Sequence, residues 1–249
     1  MIALLSPAKT LDYDTPLPEL EETRPRLLAE AETLARAAAR LPQKRLSELM
    51  KISPALAKLN AERFRDFANA PERAAIFAFA GDVYTGLDAH TLEPEAIGFA
   101  QDHVRLLSGL YGLLRPLDAI RPYRLEMGTR WAPRKAKLTE WWSDRIATLL
   151  VRDLEQEGSD TILNLASQEY FAAVRGLLPA ALRVIAVDFR EGPEAKFVSF
   201  HAKQARGMMA RWLVENRIER ADDMKGFDTD GYRFDDATSG DAQWRFVRS

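Results

Sequence analysis

The 249-residue chain has no cysteine. Disulfides, thiolate metal sites, cysteine-held iron–sulfur clusters and thiol-based peroxide chemistry are therefore excluded. Histidine is scarce: His90, His103 and His201 stand far apart and no HExxH spacing occurs, so neither a metal nor a cofactor is expected from the ligand pattern, although a carboxylate site for magnesium stays open. The glycine spacing of a P-loop or a dinucleotide fingerprint is missing, and so is a GxSxG elbow, which leaves Ser108 and Ser167 as plain hydroxyls. The opening MIALLSPAKTLD is apolar only from Met1 to Leu5 with no basic residue before it, so neither a signal peptide nor a membrane span is expected there and a cytoplasmic location is. With a formal net charge of -2, the chain also lacks the basic excess usual in nucleic-acid binders.

What is present is enough apolar material, 47% of residues, to bury a large core. No internal repeat or low-complexity linker interrupts it, so residues 1–249 read as one continuous domain ending in an acidic, glycine-containing segment at about residues 222–249. Short apolar runs bounded by turn residues predict strands at Ile2 to Leu5, Ala75 to Ala80, Thr161 to Leu165, Arg183 to Asp188 and Phe197 to Phe200. Helical stripes fall at Leu27 to Leu41 and Trp142 to Leu154, and a further helix is expected from about Pro94 to Leu107. The interleaving predicts an α/β domain of mixed α+β kind, a mixed sheet covered by helices.

Charge is unevenly spread. Between Asp102 and Lys137 eight basic residues face three acidic ones, whereas Asp222 to Asp241 holds seven aspartates against Lys225 and Arg233. A basic face therefore survives the neutral total. Within the basic stretch, Gly109-Leu110-Tyr111-Gly112 breaks the expected helix, and a second short helix fits between Pro116 and Pro122. Helix, glycine turn, helix over about residues 94–121 is the plan of a helix-hairpin-helix element, in which Gly109 and Gly112 expose backbone N–H groups and Arg105, Arg115, Arg121 and Arg124 supply charge to DNA phosphates. The same pattern also reads as a turn joining two helices, with arginines paired to Asp118 and Glu126.

A second anion-binding expectation comes from KFVSFHAKQARGMMAR, from Lys196 onward. Here a strand is expected to end near His201, and Lys203 and Arg206 fall in the first turns of a helix, where the helix dipole disfavours cations unless an anion binds. Other polar residues stand at expected strand ends: Lys9, Asp82 and Tyr84 in two loops, and Asn164, Ser167 and Glu169 in NLASQEYF, with Ser167 placed to cap a helix. With His201 they outline a pocket for a nucleotide or another small anionic ligand.

Several blocks of this sequence resemble the YaaA peroxide-stress family of bacterial cytosolic proteins: SPAKTLD at Ser6, GDVYTGL at Gly81, LSGLYGLLRPLDAIRPYRLEMG from Leu107, NLASQEYF at Asn164, SFHAKQARGMMAR at Ser199 and GYRF at Gly231. They span nearly the whole chain. The resemblance implies a role in resisting hydrogen peroxide, linked to limiting free intracellular iron, and a family-specific α/β architecture with a helix-hairpin-helix element and a basic cleft that binds DNA. Three readings follow. One is a non-catalytic protein holding the DNA phosphate backbone through Arg105, Gly109, Gly112, Arg115, Arg121, Arg124, Lys196, Lys203 and Arg206. The second is an enzyme acting on a nucleotide or similar anion at the strand ends. The third is a scaffold whose acidic C-terminal segment binds a partner or covers the basic face.

Overall fold

Ile2–Leu5 (β1) carries four apolar residues in a row, all inaccessible to solvent. A run without polar alternation needs cover on both faces, and β1 duly lies inside the main sheet. The computed structural model describes residues 1–249. The remaining strands in chain order are β2 (Thr10–Leu11), β3 (Arg73–Ala74), β4 (Phe79–Ala80), β5 (Val104–Ser108), β6 (Gly112–Leu114), β7 (Ala119–Ile120), β8 (Thr161–Asn164), β9 (Arg183–Glu191), β10 (Arg233–Phe234) and β11 (Gln243–Arg248). Seven of them form one mixed sheet in the order β10-β11-β9-β8-β1-β5-β6. Its five inner strands are parallel, with Ala3 of β1 opposite Val104 on one side and Leu163 on the other, while β6 and β10 run antiparallel at the two edges.

The helices are α1 (Leu28–Ala39), α2 (Gln43–Met50), α3 (Pro54–Arg65), α4 (Ala75–Ala78), α5 (Asp82–Leu87), α6 (Pro94–His103), α7 (Leu138–Gln156), α8 (Gln168–Phe171) and α9 (Ser199–Glu215). In α1 the buried residues are Ala31, Leu34, Ala35 and Ala38, and in α7 they include Leu138, Trp142, Ile146, Leu150 and Leu154, the stripes expected at helical spacing. No helix is long and apolar enough to cross a membrane. Helices α5 and α9 cross closely, because a Cβ on Gly86 would strike the Gln204 carbonyl and one on Gly207 the Val83 carbonyl. The two glycines let backbone meet backbone there.

Four sequence expectations change. Ala75–Ala78 is a single helical turn and only Phe79–Ala80 is a strand, because a short apolar run has no periodicity to separate the two states. Phe197 and Val198 lead directly into α9, and the preceding strand β9 ends earlier, at Glu191. Helix α6 stops at His103, and the next five residues are β5. Most importantly, Gly109-Leu110-Tyr111 joins β5 to β6 as a hairpin of strands, so the helix-hairpin-helix expected at about residues 94–121 is not formed there. Both glycines serve internal packing. Gly112 adopts φ 72 at the end of the turn, and a Cβ on Gly109 would meet the Leu125 carbonyl. Trp142 donates to the Gly109 carbonyl at 2.8 Å, and Ser108 Oγ accepts from the Tyr111 N–H at 2.9 Å and bonds the Tyr123 hydroxyl at 2.6 Å.

The acidic C-terminal segment is likewise built in. β11 pairs with β9 over six residues, Gln243 to Arg248, and Trp244 and Phe246 are buried, the latter tilted against Phe189 and edge-on to Phe227 and Phe234. It is a structural part of the sheet rather than a detachable cover.

Candidate functional site

The inner strands are parallel, so their carboxyl ends gather at one edge of the sheet. From β1 the chain goes to β5 on one side, and after the edge hairpin it returns to β8 on the other before moving outward to β9 and β11. The loops leaving β1 and β8 therefore diverge, which is the topological setting of a ligand crevice in open α/β sheets. Here the Ser167 N–H donates to Ser6 Oγ at 2.8 Å and the Tyr84 hydroxyl donates to the Ser6 carbonyl at 3.1 Å, tying the start of α8 and helix α5 to the end of β1. Tyr84 is buried, and that burial raises its pKa well above the ordinary phenol value.

Beside this junction lies a pocket of about 500 Å³. Asn164, Ser167, Lys203 and Arg206 of the expected site all line it. On α9, Ser199, Ala202, Lys203 and Arg206 follow i, i+3, i+4, i+7 spacing and present one face to it. Lys203 Nζ bonds Asp82 Oδ2 at 3.2 Å across the α5–α9 crossing. Arg206 differs from the other cations here: its Nε is buried without a partner, and burial depresses its pKa, an effect that the charge of Asp188 only partly offsets. Asp188 itself is occupied by Arg190 at 2.8 Å and Arg245 at 3.2 Å. Ser167 takes the N-cap position of α8 but its hydroxyl makes no capping bond, contrary to expectation, and stays available.

The other expected residues are dispersed. Lys9 stands 3.9 Å from Glu126, which also holds Arg124 at 3.0 Å, and Glu169 accepts the Gly128 N–H at 3.0 Å. His201 bonds Glu191 at 2.8 Å and shares a neighbouring depression with Lys196, which itself pairs with Glu194 at 2.8 Å. Arg115 pairs with Asp118 at 3.3 Å and Arg121 with Glu72 at 2.9 Å. Arg105 is buried: its Nε meets Asp153 at 2.6 Å, and one terminal nitrogen donates to the carbonyls of Gln101, Asp102 and Val104. Arg105, with the buried Gly109 and Gly112, is thus committed to the interior and offers nothing to a phosphate.

A larger hollow of about 810 Å³ lies at the opposite, amino-terminal edge, beside Met1 and Thr161. Its rim carries five carboxylates, Glu155, Glu157, Asp160, Glu219 and Asp222, against two guanidiniums, Arg183 and Arg220, so acid outweighs base there. That rim repels anions, so size does not make it the site.

The sequence reading also passed over a basic surface. From Arg36 to Arg65 there are eight basic residues against Glu48 and Glu62, a denser excess than that of the stretch counted above. Here two helices, α2 and α3, do meet through a tight turn. Lys51 adopts φ 52, Ile52 is buried, Ser53 Oγ caps α3 by accepting the Leu56 N–H at 3.3 Å, and Ser47 Oγ donates to the Ile52 carbonyl at 2.6 Å. Arg40, at the end of α1, and Lys44, Lys51, Lys58 and Arg65 are exposed; within α2 and α3 the ion pair is Arg45 with Glu48, while Arg36 of α1 pairs with Glu32. The N–H groups of Ser53 and Ala55 at the start of α3 donate to no protein group.

A family model described as peroxide stress protein YaaA matches residues 1–238. A UPF0246 protein of Rhizorhabdus wittichii is 58% identical over 252 residues, covering 100% of both chains. UPF0246 proteins of Hahella chejuensis and Caulobacter vibrioides are 48% and 47% identical, each covering 100% of this chain and 99% of the relative. The match runs through the crevice blocks at Ser6, Gly81, Asn164 and Ser199 as well as the helix pair α2–α3. The chain belongs to the peroxide stress protein YaaA family.

Proposed function

We propose that this protein binds duplex DNA during peroxide stress, without reading sequence, and that α2, α3 and the turn between them hold the phosphate backbone. The observation that carries this reading is the set of four exposed, unpaired cations, Lys44, Lys51, Lys58 and Arg65, on a helix–turn–helix whose second helix begins with open N–H groups, with Arg40 just before it. Stability alone disfavours such crowding of like charge. A polyanion relieves it, and the free amides of Ser53 and Ala55 suit one phosphate while the lysines suit its neighbours. The arginines of the glycine-rich stretch play no part in this contact, since Arg115, Arg121 and Arg124 are already paired. The reading assigns the protein to the DNA side of peroxide damage. The family's link to free iron is assigned to no residue of this chain.

The test is fluorescence anisotropy of a labelled duplex over a salt series, comparing wild type with Lys44→Glu/Lys51→Glu/Lys58→Glu. Each lost phosphate contact flattens the log–log salt slope by about 0.9, so the triple variant is expected to lose close to three contacts' worth of slope and most of its affinity. Neutralising Arg115 and Arg121 is expected to leave binding unchanged. Wild type that fails to bind duplex at low salt, or a triple variant that binds equally well, overturns the reading.

A further inference from the structure

The pocket beside α9 is chemically unlike the α2–α3 surface: it is concave, of single-ligand size, and walled partly by apolar residues. Four features define what it accepts. Arg206 supplies a guanidinium with no ion pair or hydrogen bond inside the protein, and Lys203, half-exposed and bonded at 3.2 Å to Asp82, a residue outside the pocket wall, stands one turn before it on the same face. The neutral polar groups Ser167 Oγ, Ser199 Oγ and the Gln168 amide reach the same space and make no side-chain bond of their own, and Asn164 uses only its Oδ1, toward the Ala166 N–H. The sole carboxylate on the wall, Asp188, is held by two arginines and does not neutralise Arg206 directly. Finally Phe197, 51% exposed, sets an aromatic ring at the wall with the Arg190 guanidinium 5.4 Å from its centroid.

A cation cluster alone would suit any small anion. An exposed aromatic ring and free amides beside it add a flat apolar surface and hydrogen-bonding edges, the pair of features that recognises a nucleobase. We propose that this pocket binds a nucleoside 5′-phosphate, either free or as an unpaired nucleotide of a strand, with its phosphate on Arg206 and Lys203 and its base against Phe197. Ala202, between the two cations and the start of the helix, leaves room for the phosphate to approach α9 closely. The lowered proton affinity of Arg206 reflects an environment that awaits a counter-charge, which the phosphate provides.

The probes are deoxyadenosine 5′-monophosphate, deoxyadenosine, inorganic phosphate and a 5′-phosphorylated single-stranded oligodeoxyadenosine, titrated calorimetrically into the full chain. Wild type is expected to bind the monophosphate more tightly than either deoxyadenosine or phosphate. Arg206→Gln is expected to weaken it by about tenfold or more, the usual consequence of losing a charge-assisted contact. Phe197→Ala should weaken the monophosphate while leaving inorganic phosphate unchanged, and the α2–α3 triple variant should bind the monophosphate normally, which separates this site from the duplex surface. Equal affinity for monophosphate and oligonucleotide identifies the free nucleotide as the source; Arg206-dependent binding of the oligonucleotide about tenfold tighter identifies a strand. Melting temperature supplies a readout independent of ligand. Arg206→Met removes a partly desolvated, unpaired charge and is expected to melt at or above the wild-type temperature. No binding of monophosphate at millimolar concentration, unchanged affinity in Arg206→Gln, equal affinity for monophosphate and bare phosphate, or a lowered melting temperature in Arg206→Met overturns the proposal.

Discussion

Replacing Asp153 with alanine is expected to cost a large share of the protein's stability. Its carboxylate sits on α7 with 1% of the side chain exposed, and it holds two guanidiniums, Arg105 at 2.6 Å and Arg26 at 2.9 Å. Arg26, 24% exposed, reaches water once released, but Arg105 at 6% does not. Its remaining bonds go to the carbonyls of Gln101, Asp102 and Val104, which supply dipoles and no counter-charge. Breaking a buried pair from one side typically costs about 3–5 kcal/mol, against a total of about 5–15 kcal/mol for a natural domain. Urea unfolding followed by tryptophan fluorescence measures the loss, since Trp141 and Trp142 lie on the same helix. Asp153→Leu combined with Arg105→Met removes the stranded charge and is expected to recover more than half of it. The pair also predicts a pH dependence. Burial pushes the Asp153 carboxyl up, but the bonds and charges of Arg26 and Arg105 outweigh that and hold it below the usual value. Its contribution is therefore complete above the unfolded carboxyl pKa of about 3.9 and fades as the pH falls through the lower folded value. The gap between wild type and Asp153→Ala should close only in acid. A loss below about 1 kcal/mol, or a double variant as weak as the single one, refutes the reasoning.

The α5–α9 crossing predicts that Gly207→Ala lowers the melting temperature, because the new methyl meets the Val83 carbonyl and overpacking of this kind costs about 1–3 kcal/mol; an unchanged melt would show that the helices separate freely. Removing residues 222–249 is expected to leave an unfolded, protease-sensitive chain instead of one with improved DNA binding, since β9 loses its six-residue partner and the core loses Trp244 and Phe246. Circular dichroism and limited proteolysis decide between these outcomes. The duplex and nucleotide titrations described above complete the set, and their variants act on separate surfaces.

The long amphipathic helices and the central strands were legible because burial alone determines them: Leu34 and Ala38, or Ile2 to Leu5, have one environment that suits their pattern. The crevice was legible in part, since Asn164, Ser167, Lys203 and Arg206 follow strand ends and do converge. Residues joined by tertiary packing were not. Gly109 and Gly112 look alike whether they face phosphate or protein, and only the positions of Leu125 and Trp142 decide it. Arg105 looks like a surface cation until Asp153, forty-eight residues away, is brought to it. Phe197 and Asp188 were missed as pocket walls because the sequence placed Phe197 in a strand and took Asp188 as the end of another. The α2–α3 surface left a signal that needed no structure, a charge excess from Arg36 to Arg65, but a neutral total hid it.

The position of β11 bears on how this protein is made. β9 lies inside the finished sheet, yet its second neighbour comes from residues 243–248, some fifty positions further along, so until that segment docks β9 remains an open edge. An unpaired strand edge beside exposed aromatic residues is a template for association between nascent chains. A chain cut short before residue 243 would therefore carry that open edge permanently, and is expected to associate with its own copies and to be readily degraded.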